Sequence, residues 1–464
     1  MTAHNSETGD AVEREVLVHP DGQEISSSVA QVLAGPNNSL EIEVPDDAIP
    51  GSIDAELRLY PNLIAHVLDA MHGIGERPAG CAEQITSVAY VSLMGLQVLA
   101  KANRSNDPSN PRAQLAVNAK KAVQDAYLQL VDLQQSDGGF PYWQSKVSDL
   151  ALTAYVLRFM DAASEFIDVD RSVINRAAAY IVGHQSKTGA WTHRGGQEKD
   201  VEDLNLTAYM TRTLAPAVGA KSTIKAASKD QQDIKGLQAV EASFKLGMNY
   251  LEDQIDLWKD PYLVGNYAIA ASASNKSEYV SRARALLSSL AHREGNATYW
   301  NLEANTSPFY GWGNTGRLET TALAVEALAK LEEKQPDADT AQQVSRGLQY
   351  LLGHRDRYSV WYSTQATENV IEAMIAAVPP GDESDGPSKA DIIVNGHSVS
   401  TMQLPDANAI VGPATLELAQ YLHPGHNAVQ VVRGANSSAM NALLITSHYI
   451  PWKDSRSTNG ARPM

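Results

Sequence analysis

Apolar and polar positions alternate in short runs near both ends of this 464-residue chain, and apolar positions recur at helical spacing through the long stretch between. Before residue 60, period-two runs occupy Val12 to Val18, Leu40 to Val44 and Ile53 to Leu59, broken by Asp-Gly and Pro-Asn-Asn turns. The same texture returns in Asp391 to Val394, Ser398 to Leu404, Thr415 to Leu418, Ala428 to Val432 and Asn441 to His448, each bounded by Gly, Pro or Asn. Neither end has enough strands to bury a face, so the pattern predicts one small β-sandwich built from both. Residues 1–59 and 386–452 are assigned to that sandwich, 60–385 to a helical domain between its halves, and 453–464 to a tail.

From Pro61 to about Val378 a helical hairpin recurs at intervals of roughly 50 to 60 residues, a period that signals a repeat architecture. Its first helix runs into an aromatic-rich turn: Arg176 to Trp191 is echoed by Arg346 to Trp361, and Leu133 to Phe140 is a weaker copy. Its second helix opens on acidic or hydroxyl residues and then small and apolar ones, in the runs beginning at Asp149, Glu202, Glu319 and Thr364. Such residues suit helix starts because they accept bonds from orphan amides and favour the positive end of the dipole. Adding helices from Pro61, Cys81 and Asp260 makes six pairs. Small residues on each second helix let six helices crowd inside while six wrap outside, which predicts a mainly α fold, an α/α six-hairpin toroid.

Composition narrows the function classes. With 54 acidic residues against 37 Lys and Arg, a net charge of −17 opposes a polyanion, and no basic stripe interleaved with aromatics appears, so no nucleic-acid partner is expected. No window approaches the ~18 consecutive apolar residues of a membrane helix. The first residues, Met1 to Glu15, are polar and acidic, without the apolar core of a signal peptide. Cys81 is the one cysteine, which excludes a disulfide within the chain and a multi-thiolate metal site. No cofactor or metal is called for.

Gly80-Cys81-Ala82-Glu83-Gln84 opens a long apolar helix from Ile85 to Ala100. Cys81 and Gln84, three apart at a helix start, stack on one face, so a thiol can reach the Gln84 amide carbonyl. Loss of ammonia then gives a thioester, an activated acyl group whose leaving thiolate is favoured by the helix N-terminus. The residues alone also allow a small buried cysteine beside an unrelated glutamine, with Glu83 merely a first-turn charge.

The pentapeptide resembles the Gly-Cys-x-Glu-Gln thioester motif of the alpha-2-macroglobulin and complement C3-like family, and the likeness covers nearly the whole chain. Val44 to Ser52 is similar to the family's approach to its thioester domain, and Leu152 to Leu157, Val201 to Tyr209 and Ser363 to Thr367 each resemble a family segment in the same order. The resemblance implies that the helical domain is the α/α-toroid thioester domain and the flanking strands a CUB-like β-sandwich. It implies further that the chain is a fragment of a longer protein whose macroglobulin domains, bait region and receptor-binding domain lie elsewhere. Bait cleavage by a protease then exposes the thioester, and the former Gln84 carbonyl acylates an amine or hydroxyl of the attacking protease or of a cell surface. This is a single-use covalent trap, not an enzyme, and the fragment alone is expected to inhibit no protease. A secreted, periplasmic or cell-envelope location and, from the disulfide-free chain, a bacterial source are expected.

In the complement branch a histidine takes the acyl group and passes it to hydroxyls; His193, in Trp191-Thr-His193-Arg-Gly-Gly, matches that position. The loop is short, and Gly195-Gly196 followed by Val201-Glu-Asp is closer to the protease-inhibitor branch. Phe140, Tyr142, Trp143, Trp191, Tyr310, Trp312 and Trp361 either shield a thioester from water or simply pack helix ends, the latter being expected for most and above all for Trp191 and Trp361. Two rivals remain. Asp149, Glu202, Asp203, Asp260 and Glu319 near helix starts suit the carboxylate pair of a toroidal glycoside hydrolase. A pure interaction module leaves Cys81 a free thiol. A prenyltransferase-like zinc site is set aside for want of fitting ligands.

Overall fold

The computed structural model describes residues 2–4, 9–11, 18–33, 35–74, 80–102, 111–145, 147–193, 201–218, 231–274, 277–303, 313–356, 360–378, 388–406, 411–434 and 440–452. A minor hairpin of β1 (Thr2–His4) and β2 (Gly9–Ala11) precedes β3 (Gln23–Leu33), β4 (Asn37–Val44) and β5 (Asp54–Tyr60). There follow α1 (Leu63–Ile74), α2 (Ala82–Ala102), α3 (Pro111–Leu133), α4 (Leu150–Ala163) and α5 (Arg171–Gly183). A two-residue pairing of β6 (Thr192–His193) with β7 (Val201–Glu202) leads to α6 (Leu204–Val218), α7 (Gln231–Asp253), α8 (Pro261–Ser274) and α9 (Ser277–Ser289). The hairpin β8 (His292–Glu294) and β9 (Ala297–Tyr299) precedes α10 (Gly313–Lys334), α11 (Ala338–Gly353) and α12 (Thr364–Ala376). The last strands are β10 (Ser388–Val394), β11 (His397–Leu404), β12 (Ala414–Glu417), β13 (Gly425–Arg433) and β14 (Met440–Ile450).

Strands from both ends mix in two antiparallel four-stranded sheets, ordered β11-β10-β13-β4 and β12-β5-β14-β3. Alternation explains the shared core: Leu40 and Ile42 of β4 and Ala390, Ile392 and Val394 of β10 point inward against Ala55, Leu57 and Leu59 of β5. Of the expected strands, residues 12–17 lie outside the described residues. The strand β3 escaped prediction because Ser26-Ser27-Ser28 hides its alternation; it pairs along its length with β14.

Among the described residues there are twelve α-helices, as six pairs require. The helices α2, α4, α6, α8, α10 and α12 each touch the next, and α12 touches α2, closing a ring with α3, α5, α7, α9 and α11 outside it. The ring helices carry the small residues, as in the wholly buried Ala322, Ala324 and Ala327 of α10.

Four of the turns from an outer to a ring helix repeat one bonding scheme. The backbone N–H groups of Phe140, Trp191, Trp300 and Trp361 donate to the hydroxyls of Thr153, Thr207, Thr321 and Thr367, at 2.9 to 3.0 Å. The indoles of Trp191, Trp300 and Trp361 donate to carbonyls at the ends of α5, α9 and α11 (Ile181, Leu287 and Leu351), which satisfies groups a helix C-terminus leaves open. Trp191 and Trp361 are therefore structural, as expected, and Trp300 is a third member the sequence pattern had not singled out.

Charges span the ring interior. Arg158 of α4 meets Glu372 of α12 at 2.8 Å, Arg212 of α6 meets both Glu372 at 2.7 Å and Glu326 of α10 at 2.8 Å, and Lys330 closes on Glu326 at 2.6 Å. Burial alone would raise Glu372, but Arg158, Arg212 and Lys330 hold its carboxyl below the usual carboxylate range. Glu368, wholly buried and without a hydrogen bond among the described residues, is pushed well above the usual range by burial and by Glu372.

Candidate thioester site

The motif sits at the N-terminus of α2. Cys81 is the cap residue: its carbonyl accepts the Ile85 N–H at 2.9 Å. Gln84, at the third helical position, folds back so that its Oε1 accepts the Cys81 N–H at 3.1 Å, the back-bonding half of a capping box. That bond holds the Gln84 amide carbon beside the residue bearing the thiol. Cys81 is half-buried and Gln84 exposed, so the pair faces outward.

The other motif residues serve this placement. Gly80 has φ +113, and a Cβ there would lie 2.2 Å from Gln84 Oε1, so glycine both permits the backbone and leaves room for the folded-back amide. Ala82 is wholly buried in the helical core, and its N–H donates to the Tyr142 carbonyl at 2.9 Å. Glu83 points the opposite way from Gln84, toward the ring. Its Oε1 accepts from Ser87 at 2.9 Å and from Thr364 of α12 at 3.2 Å, and Ser87 in turn meets the Tyr155 hydroxyl of α4 at 2.9 Å. Glu83 is thus more than a first-turn charge: it ties the start of α2 to the neighbouring ring helices.

Two exposed aromatics adjoin these anchors. Trp143, 62% exposed, follows the Tyr142 carbonyl that holds Ala82; Tyr362, 77% exposed with φ +39, precedes the Ser363–Thr364 start of α12. Of the other aromatic candidates, Phe140 is wholly buried, and Tyr310 and Trp312 lie outside the described residues. His193 is the second residue of β6, opposite Val201 in the turn between α5 and α6; its side chain falls outside the described part of the structure, as does the loop that follows.

The carboxylates near the rim divide. Asp149, Asp203 and Asp260 accept the amides of Leu152, Leu206 and Tyr262 at 2.8 to 3.0 Å and act as helix caps. The Glu202 side chain lies outside the described residues. Glu319 is not at a helix start: α10 begins earlier, at Gly313, and carries Glu319 into the ring, where burial and then Glu83 push it up to about 8. It lines a cavity of about 10 Å³, together with Tyr155, Tyr209, Tyr262, Gln365 and Glu368, room for roughly one water. No sequence signal distinguishes it from the capping acids.

The sequence profile of the family described as A-macroglobulin TED domain matches residues 57–376, most of the chain. The chain belongs to this family. Among curated relatives, thioester-containing protein 1 allele S1 of Anopheles gambiae is 24% identical over 299 residues, covering 63% of this chain and 20% of that protein. Complement C3 of Eptatretus burgeri is 22% identical over 382 residues, covering 71% of this chain and 23% of that protein. Solved bacterial structures share the fold: Salmonella alpha-2-macroglobulin reacted with methylamine superposes over 94% of this chain and 24% of its own, with TM-score 0.56 and 17% identity. E. coli alpha-2-macroglobulin in its native conformation superposes over 98% of this chain and 25% of its own, with TM-score 0.52 and 17% identity. This member of the family thus spans a fifth to a quarter of the relatives it matches. Among its described residues no helix is long and apolar enough to cross a membrane.

Proposed function

We propose that Cys81 and Gln84 form an internal thioester, and that the larger protein uses it once to capture an attacking protease. The bond from Cys81 N–H to Gln84 Oε1 carries this reading, because it folds the Gln84 amide back onto the residue that bears the thiol. In formation, the Cys81 sulfur attacks Gln84 Cδ and ammonia leaves. In capture, an amine attacks the same carbon, the Cys81 thiolate departs and takes up a proton, and the target is left on the Gln84 acyl group. One thiol is released per capture, so there is no turnover. Because the chain matches about a quarter of the solved relatives, protease capture is proposed for the larger protein and the covalent step for these residues.

In this reading the closed helical ring, residues 60–385, is the α/α-toroid thioester domain, and the two sheets are the CUB-like β-sandwich that joins it to the remaining macroglobulin domains. The order of ring contacts and the mixing of both chain ends in each sheet support it. Exposed Trp143 and Tyr362 suit a surface that another part of the protein covers to keep water off the thioester. A secreted, periplasmic or envelope setting follows from the family.

A second reading, complement-like ester transfer to surface hydroxyls, rests on His193. Intact mass before and after methylamine, with a thiol titration, tests the core proposal: expected are a starting mass short of one ammonia, a gain of one methylamine and one new thiol. A full calculated mass with Cys81 titratable from the outset overturns it. Offering glycerol and a small amine to wild type and His193→Ala tests the branch; unchanged hydroxyl transfer removes His193 from the mechanism.

A further inference from the structure

The joint between the two-sheet unit and the helical ring is built on charge. Between the two large cores lies a small apolar cluster, Tyr60, Ala65, Leu443 and Ile445, and Ala30 of β3 packs against both this cluster and the helical core. Beside it lies Arg355, 1% exposed, in the turn after α11. Its guanidinium donates to the Tyr60 hydroxyl at 2.9 Å and to His66 Nδ1 at 3.0 Å, and pairs with Asp69 at 3.0 Å. It also lies over the rings of Tyr60 and Trp361. Ser28 of β3 donates to the Arg355 carbonyl at 2.8 Å, and Tyr60 donates to Asp69 at 2.7 Å. Asp69 further meets Arg58 of β5 at 3.2 Å, which is paired with Glu56. Sheet residues and helical residues therefore share one closed network.

His66 is the member that acid can change. It is buried, and its ring stacks on Tyr60 with centroids 3.6 Å apart. Because Nδ1 accepts from Arg355, the ring is neutral with its proton on Nε2, and Nε2 has no hydrogen-bond partner among the described residues. The charged and titratable groups against it are Arg355 and Tyr60, and joined to these are Asp69, Arg58 and, behind Arg58, Glu56. A proton on Nδ1 would replace the bond from Arg355 with two cations in contact, while Asp69 already serves Arg355, Arg58 and Tyr60. We infer that this joint is an acid-releasable latch, with Arg355 as its pin and His66 as its proton sensor.

The direction follows from linkage. Burial first, then the Arg355 charge, hold closed-state His66 well below its ordinary range. An opened joint returns the ring to water and to about 6.5. The closed form is fully favoured above that value and loses ground as pH falls through it, by up to about tenfold in the open-to-closed ratio per pH unit. A small polar joint separates more readily than an apolar one, since the freed charges regain water.

The test is small-angle scattering of the full chain from pH 7.5 to 5.0, with far-UV dichroism on the same samples. Expected is a constant radius of gyration down to about pH 6.5 and a rise below it at unchanged helical signal. His66→Asn, which keeps an acceptor but does not titrate, should remain compact throughout. Per-histidine deuterium exchange on the unaltered protein gives a second readout, with His66 exchange beginning where the expansion begins. The latch is overturned if the wild type stays compact at pH 5.0, if the variant expands at the same pH, if His66 exchange does not accompany expansion, or if helical signal is lost with the expansion.

Discussion

Alanine at Gly80 should abolish the thioester while leaving the fold standing. The new Cβ would lie 2.2 Å from Gln84 Oε1 and 3.1 Å from Gln84 Cδ. Those atoms end a flexible, exposed side chain, so the clash is relieved by swinging Gln84 outward. That movement breaks the bond to the Cys81 N–H and carries the acyl carbon away from Cys81. A non-glycine residue at φ +113 adds about 1–3 kcal/mol of backbone strain, and the lost capping bond about 1 kcal/mol. A total of roughly 2–4 kcal/mol is small beside the burial in the helical core. Intact mass with thiol titration reads the chemistry, and a urea midpoint reads the stability. Expected are the full calculated mass, no gain with methylamine, a free thiol from the outset and native dichroism. A variant that lacks one ammonia at wild-type yield would show that the fold-back of Gln84 does not place the acyl carbon.

Three further outcomes follow from the ring. Glu372→Ala strips Arg158 and Arg212 of a shared buried partner and should cost about 3–5 kcal/mol in chemical denaturation, an order of magnitude larger than an exposed pair. Glu319 has a folded value of about 8 against an ordinary 4.5, so its folded form holds the proton more tightly, and stability falls as pH rises from 4.5 to 8. Glu319→Gln should flatten that dependence and be more stable than wild type by roughly 2–4 kcal/mol at pH 7.5, at about 1.4 kcal/mol per pH unit; equal urea midpoints at pH 5 and 7.5 would contradict it. Thr367→Val leaves the buried Trp361 N–H without its acceptor and should cost about 1–3 kcal/mol in thermal or urea melts, with the thioester mass unchanged.

The sequence by itself determined the local events. Alternation located β4, β5 and β10 to β14, helical spacing and the recurring aromatic turns marked the hairpins, and the Cys81 to Gln84 spacing at a helix start marked the candidate site. These are legible because each depends on residues within a few positions of one another. The β3 strand was not, since Ser26-Ser27-Ser28 takes its place only by pairing with β14, more than 400 residues later. Nor was the inward turn of Glu83 onto Thr364, the ionic span from Arg158 to Glu372 and Glu326, or the neutral Glu319. The charges and partners that decide those states come from different helices, and a carboxylate acquires its proton affinity only when the ring closes around it. The Arg355 joint is the extreme case: Tyr60, His66 and Arg355 are ordinary letters in the chain, and only the packing of sheet against ring makes them a single charged cluster.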